Sequence, residues 1–131
     1  MDIKVLSSQA TIAIEEFAKL YFETFDKRRQ AIVRIYQDKA NLVWNGHAVT
    51  GADEIMKFFD TLPSSEFHIE GMDTQAILPD VVADGSNSII VNFFGKVKFK
   101  GSEAKAFFHT FILSAHENKW KIVTENFRFL E

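Results

Sequence analysis

Leu42-Val43-Trp44-Asn45-Gly46-His47-Ala48-Val49-Thr50-Gly51 sets two short apolar runs on either side of an Asn-Gly pair. Asn-Gly favours the positive φ angles of a type I′ turn, so Ala40 to Trp44 is expected to fold back on His47 to Val49 as a hairpin. Thr50 is then placed to cap a helix, with Asp53 as a short capping-box partner for the free N–H groups. So small a ribbon has no independent stability. It has to be an accessory to a larger sheet, which the C-terminal half of the chain supplies.

Before that hairpin the apolar period is helical. Ala10, Ile14, Phe17, Ala18, Tyr21 and Phe25 recur at three- and four-residue spacing, which predicts an amphipathic helix over Ser8 to Phe25, with Ser7 or Ser8 as its cap. Asp26 can cap a second helix whose narrower stripe is Ile32, Ile35 and Tyr36, before Asp38 begins the approach to the strand. Ile55, Phe58, Phe59 and Leu62 mark a third, which Pro63 stops. From residue 66 the period becomes 2. Phe67 and Ile69 alternate with Glu66, His68 and Glu70 in a strand bent at Gly71 and running toward Ile77. Pro79 to Asn87 reads as a loop, and Ile89 to Phe99 as a strand with Val91, Phe93, Val97 and Phe99 on one side. Lys105 to His116 and Lys119 to Phe129 are long strands joined at Glu117-Asn118. The expectation is one α+β domain over residues 1–131, with three helices and a small hairpin packed on a bent, four-stranded antiparallel sheet.

Composition narrows the function classes. With 47% hydrophobic and 25% charged residues the chain is ordinary globular material. The absence of cysteine excludes disulfides and thiolate metal sites and fits a reducing compartment. No apolar run approaches the ~20 residues of a membrane span, and Met1 to Ser8 lacks the apolar stretch of a signal peptide. A net charge of −3 opposes direct nucleic-acid binding. Phenylalanine stands out at 14 residues, and that much aromatic surface needs a core or a partner to cover it.

Strand parity is where function enters. Along Lys105 to His116 one set is Phe107, His109, Phe111 and Leu113, and the other is Phe108, Thr110 and Ile112; neither is plainly polar, so both faces want cover. Helices can take one face. The other, apolar residues mixed with His, Thr, Asn and Glu, has the composition of a protein–protein interface. At ~1.5–3 kcal/mol per buried large apolar side chain, a few of them left wet favour association strongly.

Catalytic and ligand motifs are sparse. His47, His68, His109 and His116 have no metalloprotease spacing, and the glycines form no phosphate loop. A cone-shaped pocket in which Asp73, His109, Tyr21, Tyr36 and Asp38 transfer protons is conceivable chemistry; the plainer reading has the tyrosines finishing helix packing, Asp38 ending a helix and His109 on the sheet face. Lys27-Arg28-Arg29 reads as a solvated basic cluster. Asp73 has two readings. Past the bend it sits either among apolar residues, needing a cation, or at a bulge facing water.

Taken together, Asp26-Lys27-Arg28-Arg29, Leu42-Val43-Trp44-Asn45-Gly46, Ala48-Val49-Thr50-Gly51, Phe58-Phe59, Leu62-Pro63-Ser64-Ser65-Glu66-Phe67, Val97-Lys98-Phe99, Phe111-Ile112-Leu113, Trp120-Lys121-Ile122 and Phe127-Arg128-Phe129 resemble the nuclear transport factor 2-like export factors. The resemblance runs in order from about Ile12 to Phe129. It implies a cone of helices against a strongly bent antiparallel sheet, and pairing sheet to sheet with the matching domain of the nuclear RNA export receptor, which carries messenger RNA through nuclear pores. It further implies that Asp73 pairs with an arginine of that receptor. The related Ran-GDP importers use acidic residues at positions matching Asn45 and Phe99 to Ala104; here Asn45 is neutral and Glu103 is the one acid in that connection, which disfavours Ran import. His47 after the turn and Gly71-Met72-Asp73-Thr74 depart from the export pattern and leave open which receptor paralogue is matched.

The resulting expectation is a non-enzymatic adaptor without cofactor or metal, shuttling between nucleus and cytoplasm and present at pores. It reaches nucleoporin Phe-Gly repeats and messenger RNA through the complex, with no direct nucleic-acid or membrane contact, and a homodimer is possible without the receptor. The expected partner-binding residues are Asp73, Phe93, His109, Phe111, Leu113, Val123, Glu125 and Phe127. The alternatives are a Ran-GDP-importing homodimer and a small-substrate isomerase or dehydratase using the cone pocket.

Overall fold

The computed structural model describes residues 3–77, 88–116 and 119–130. The chain opens with helix α1 (Ile3–Lys27), then a 3₁₀ helix (Arg29–Ile35), strands β1 (Tyr36–Trp44) and β2 (His47–Thr50), and helix α2 (Ala52–Phe59). Four long strands follow: β3 (Ser65–Ile77), β4 (Ser88–Phe99), β5 (Lys105–His116) and β6 (Lys119–Phe129). Among the described residues these form one six-stranded sheet in the order β2-β1-β6-β5-β4-β3. The expected antiparallel four are there, and the hairpin extends the same sheet, because β1 runs parallel to β6 with Leu42 opposite Glu125 and Trp44 opposite Phe127. Four strands is therefore corrected to six.

The Asn-Gly turn forms as expected, with φ of 49° at Asn45 and 84° at Gly46. Asn45 also ties the hairpin to β6: its N–H donates to the Phe127 carbonyl at 2.8 Å and its Oδ1 accepts the Phe129 N–H at 2.9 Å. The expected Thr50 cap is not made. Thr50 stays in the ladder opposite Asn41, and the chain enters α2 at Gly51, whose φ of 94° a side chain would resist. The second helix is 3₁₀, which suits Ile32 and Ile35 at three-residue spacing, and Tyr36 already belongs to β1. Asp26 does not cap it. Instead Asp26 accepts the Ser65 hydroxyl at 2.7 Å and the Phe67 N–H at 2.9 Å, binding the end of α1 to the start of β3. Ser7 and Ser8 lie inside α1. The expected loop over Pro79 to Asn87 and the Glu117-Asn118 turn lie outside the described residues.

Bulges bend the sheet, between Ile69 and Gly71 on β3 and between Ile112 and Leu113 where β5 meets β6. Into the hollow α1 delivers Ile14, Phe17, Tyr21, Phe22 and Phe25, where they meet Phe93, Phe107, Phe111 and Phe127 from the sheet. Trp44 stacks on Phe127 with ring centres 3.9 Å apart. At ~1.5–3 kcal/mol per large apolar side chain, this aromatic cluster is the main source of stability.

Candidate partner-binding site

The inner wall of the sheet carries one polar cluster. Glu125 is fully buried and its carboxylate accepts from Tyr21 OH at 2.6 Å, from Tyr36 OH, and from His109 Nε2 at 2.6 Å. Three donors converge on one acceptor, which satisfies a charge that burial would otherwise penalise by several kcal/mol. Burial, reinforced by the Glu125 charge, pushes both tyrosines well above the ordinary phenol range. The tyrosines and His109 named as candidate proton-transfer groups thus do converge, on an acid that reading left out. Phenylalanines wrap them, and Tyr21, His109 and Glu125 are closed to solvent. Asp38 and Asp73 are exposed and take no part.

This cluster decides the parity of the sheet. Phe93, His109, Phe111, Leu113, Glu125 and Phe127 were expected on the partner side, and all six are fully buried against the helices. His109 and Glu125 made that set look like a surface, yet they bond to each other inside through His109 Nε2, while the buried Nδ1 has no hydrogen-bond partner among the described residues. A one-residue error in parity exchanges the faces. Val123 is half-buried where β6 bulges.

The outer face is therefore the complementary set. Its cross-strand rows are Gln75, Ile90, Ile112 and Thr124; then Asp73, Asn92, Thr110 and Asn126; then Gly71, Phe94, Phe108 and Arg128. Asp73 reaches this face because the β3 bulge reverses parity after Phe67 and Ile69; it is exposed beside Asn92, the water-facing reading. Thr110 donates to Asn92 Oδ1 at 2.7 Å, holding the middle row flat. Phe94 is 44% exposed, and its ring lies across Gly71, where an added Cβ would come 2.1 Å from the ring tip. Phe108, Thr110, Ile112, Thr124, Asn126 and Arg128 line a depression of 430 Å³ on this surface. The arrangement is two apolar pairs, Ile90 with Ile112 and Phe94 with Phe108, on either side of the polar Asn92–Thr110 row, with Asp73 and Arg128 at the ends of their rows.

A profile of the nuclear transport factor 2 (NTF2) domain matches residues 13–129. The chain belongs to the NTF2 family. It is 43% identical to NTF2-related export protein 2 of Homo sapiens, over 98% of this chain and 93% of the relative. Among solved structures, nuclear transport factor 2 of Cryptosporidium parvum superposes with a TM-score of 0.76 at 23% identity, covering 88% of this chain and 90% of that one. The C. albicans Mtr2-Mex67 M domain complex contains a chain that superposes at 0.73 with 14% identity, covering 92% and 94%. These two likenesses show the shared NTF2 fold, a helix-filled, curled open sheet. The Homo sapiens relative is named as an export protein and not as an enzyme.

Sequence reading also missed Arg29. Its guanidinium donates to the Leu62 carbonyl at 2.7 Å and to Ser65 Oγ at 3.0 Å, and stacks 4.5 Å over Phe25. Arg29 is a clasp between α1, α2 and β3; its basic neighbours Lys27 and Arg28 are exposed, as the solvated reading held. The positions weighed for Ran do share one depression, lined by Asn45, Ser102, Glu103 and Lys105 among apolar residues. There one carboxylate is balanced by one ammonium, and Asn45 is engaged with β6. Among the described residues no group of three or more His, Asp or Glu could hold a metal ion. No described helix is long and apolar enough to cross a membrane.

Proposed function

We propose that this chain is the small subunit of a messenger RNA export heterodimer, and that its outer sheet face docks on the NTF2-like domain of the export receptor. The observation that carries this is the set of half-exposed apolar residues Ile90, Phe94, Phe108 and Ile112, which no element among the described residues covers. Two apolar pairs flanking a polar row, on a surface that also carries Asp73 and Arg128, give the mixed composition of a protein–protein interface. A patch of standard size buries on the order of 1,600 Å² in total. The export-protein relatives and the fold shared with a chain of the Mtr2-Mex67 complex support the choice of partner.

In this mechanism the apolar pairs supply affinity, and Asp73 supplies selection by meeting an arginine of the receptor at the end of its row. Messenger RNA and nucleoporin Phe-Gly repeats are engaged through the complex, which shuttles between nucleus and cytoplasm and passes the pore. The inner residues contribute by setting the curvature that presents the outer rows.

Co-expression with the receptor's NTF2-like domain, followed by sizing, tests the proposal. The native chain is expected to co-elute one to one. Phe108→Arg is expected to abolish co-elution while preserving the circular dichroism spectrum, and Asp73→Arg to weaken it more than a change at Glu66. Co-elution unaffected by Phe108→Arg would remove this face from the interface.

A further inference from the structure

A second surface feature lies on the helix side of the molecule, between α1, the 3₁₀ helix and the start of β6. It is a groove of 510 Å³ floored by Phe17, Leu20, Ile35 and Trp120, a volume within the range of pockets that hold small ligands or anchoring side chains. Leu20 is 53% exposed although Phe17 and Tyr21 beside it on α1 are buried. A lone exposed leucine is ordinary, but here it shares one concave lining with Phe17, Ile35 and Trp120, and such a concave apolar floor is where a partner side chain seats.

Charge says what kind of cover. Arg28, Arg34, Lys119 and Lys121 also line the groove, against one carboxylate, Glu16, among the described residues. None of the four cations forms an ion pair with a described residue. The chain as a whole carries −3, so this is a local reversal of the global field. Nucleic acid would meet the cations and stack a base on Trp120, but it has no aliphatic group for Leu20, whereas a peptide offers both carboxylates and an apolar side chain. We propose that this groove binds an acidic peptide segment, seating an aliphatic or aromatic side chain on the Leu20–Trp120 floor and its carboxylates on the four surrounding cations. The site is separate from the outer sheet face, and the inference does not depend on the receptor reading.

The probe is a blocked hexapeptide, Asp-Glu-Leu-Phe-Glu-Asp, titrated into the full chain while tryptophan fluorescence is followed. Trp120 reports on the groove because the other tryptophan, Trp44, is packed in the core. A saturable change is expected, weakening as salt is raised. Arg34→Glu with Lys119→Glu should weaken binding about tenfold or more, since two exposed pairs are lost and two repulsions gained. Leu20→Ser, at an exposed position that leaves the fold intact, should weaken it independently, while Phe108→Arg on the outer sheet face should not. The idea is overturned by an absence of saturable change, by equal binding of a peptide with lysine in place of its acids, by indifference to the charge reversals, or by an oligouridine binding the groove in the peptide's stead.

Discussion

Replacing Glu125 by leucine removes the one acceptor that three buried donors share. Leucine fills much the same volume, so the cost is polar and not steric. Tyr36 OH lies 3.4 Å from Tyr21 OH and can turn to it, which leaves Tyr21 OH and the His109 ring N–H without acceptors. At ~1–3 kcal/mol for each stranded buried donor, the loss is about 2–6 kcal/mol. Against a typical domain stability of ~5–15 kcal/mol this is a large fraction. Urea unfolding followed by far-ultraviolet circular dichroism should show a much lower midpoint for Glu125→Leu with an unchanged slope. The companion experiment isolates the cause. Adding Tyr21→Phe and Tyr36→Phe to Glu125→Leu removes two hydroxyls along with their acceptor, so the triple variant should regain a substantial part of the loss although it carries more changes. A single variant as stable as the native chain, or a triple variant weaker than the single, would refute the view that these donors are held by Glu125.

The same cluster governs behaviour in alkali. The chain has two tyrosines, both in this cluster, and both are raised by burial and by Glu125. A raised native value leaves stability intact below the unfolded-state pKa of about 10 and erodes it as pH climbs above that. Tyrosinate absorbance should therefore stay absent past that point and then appear in one step with loss of circular dichroism; a gradual rise in the folded protein would contradict it. On the sheet, a Cβ at Gly95 would lie 2.1 Å from the His68 carbonyl oxygen and 2.9 Å from the Glu70 nitrogen. Gly95→Ala should cost ~1–3 kcal/mol or more by opening the β3 bulge, whereas Gly71→Ala meets only the movable Phe94 ring tip and should cost less; equal urea midpoints for the two would count against this.

Within most segments the local pattern gave the type of element but not its ends: neither Thr50 nor Asp26 caps a helix, and the second helix is 3₁₀. The Asn-Gly pair marked the hairpin because positive φ is cheap only for a few residue types, and the alternation in β4 put Val91, Phe93, Val97 and Phe99 on one side, as they are. The apolar stripe of α1 was legible for the same reason, although the helix begins before the cap expected for it. Alternation divides a strand into two sets without saying which set is covered. Where both sets are apolar, as in β5, that choice waits on the neighbours. Tertiary packing alone made Glu125 the acceptor for Tyr21, Tyr36 and His109, residues separated by 104, 89 and 16 positions, and no local spacing encodes such a meeting. It also reversed the parity of Asp73 through a bulge, joined β1 in parallel to β6, and turned Arg29 from a surface charge into a clasp. The sequence by itself determined the elements and their amphipathic sets; long-range burial of polar groups decided which face became the interior and which stayed outside.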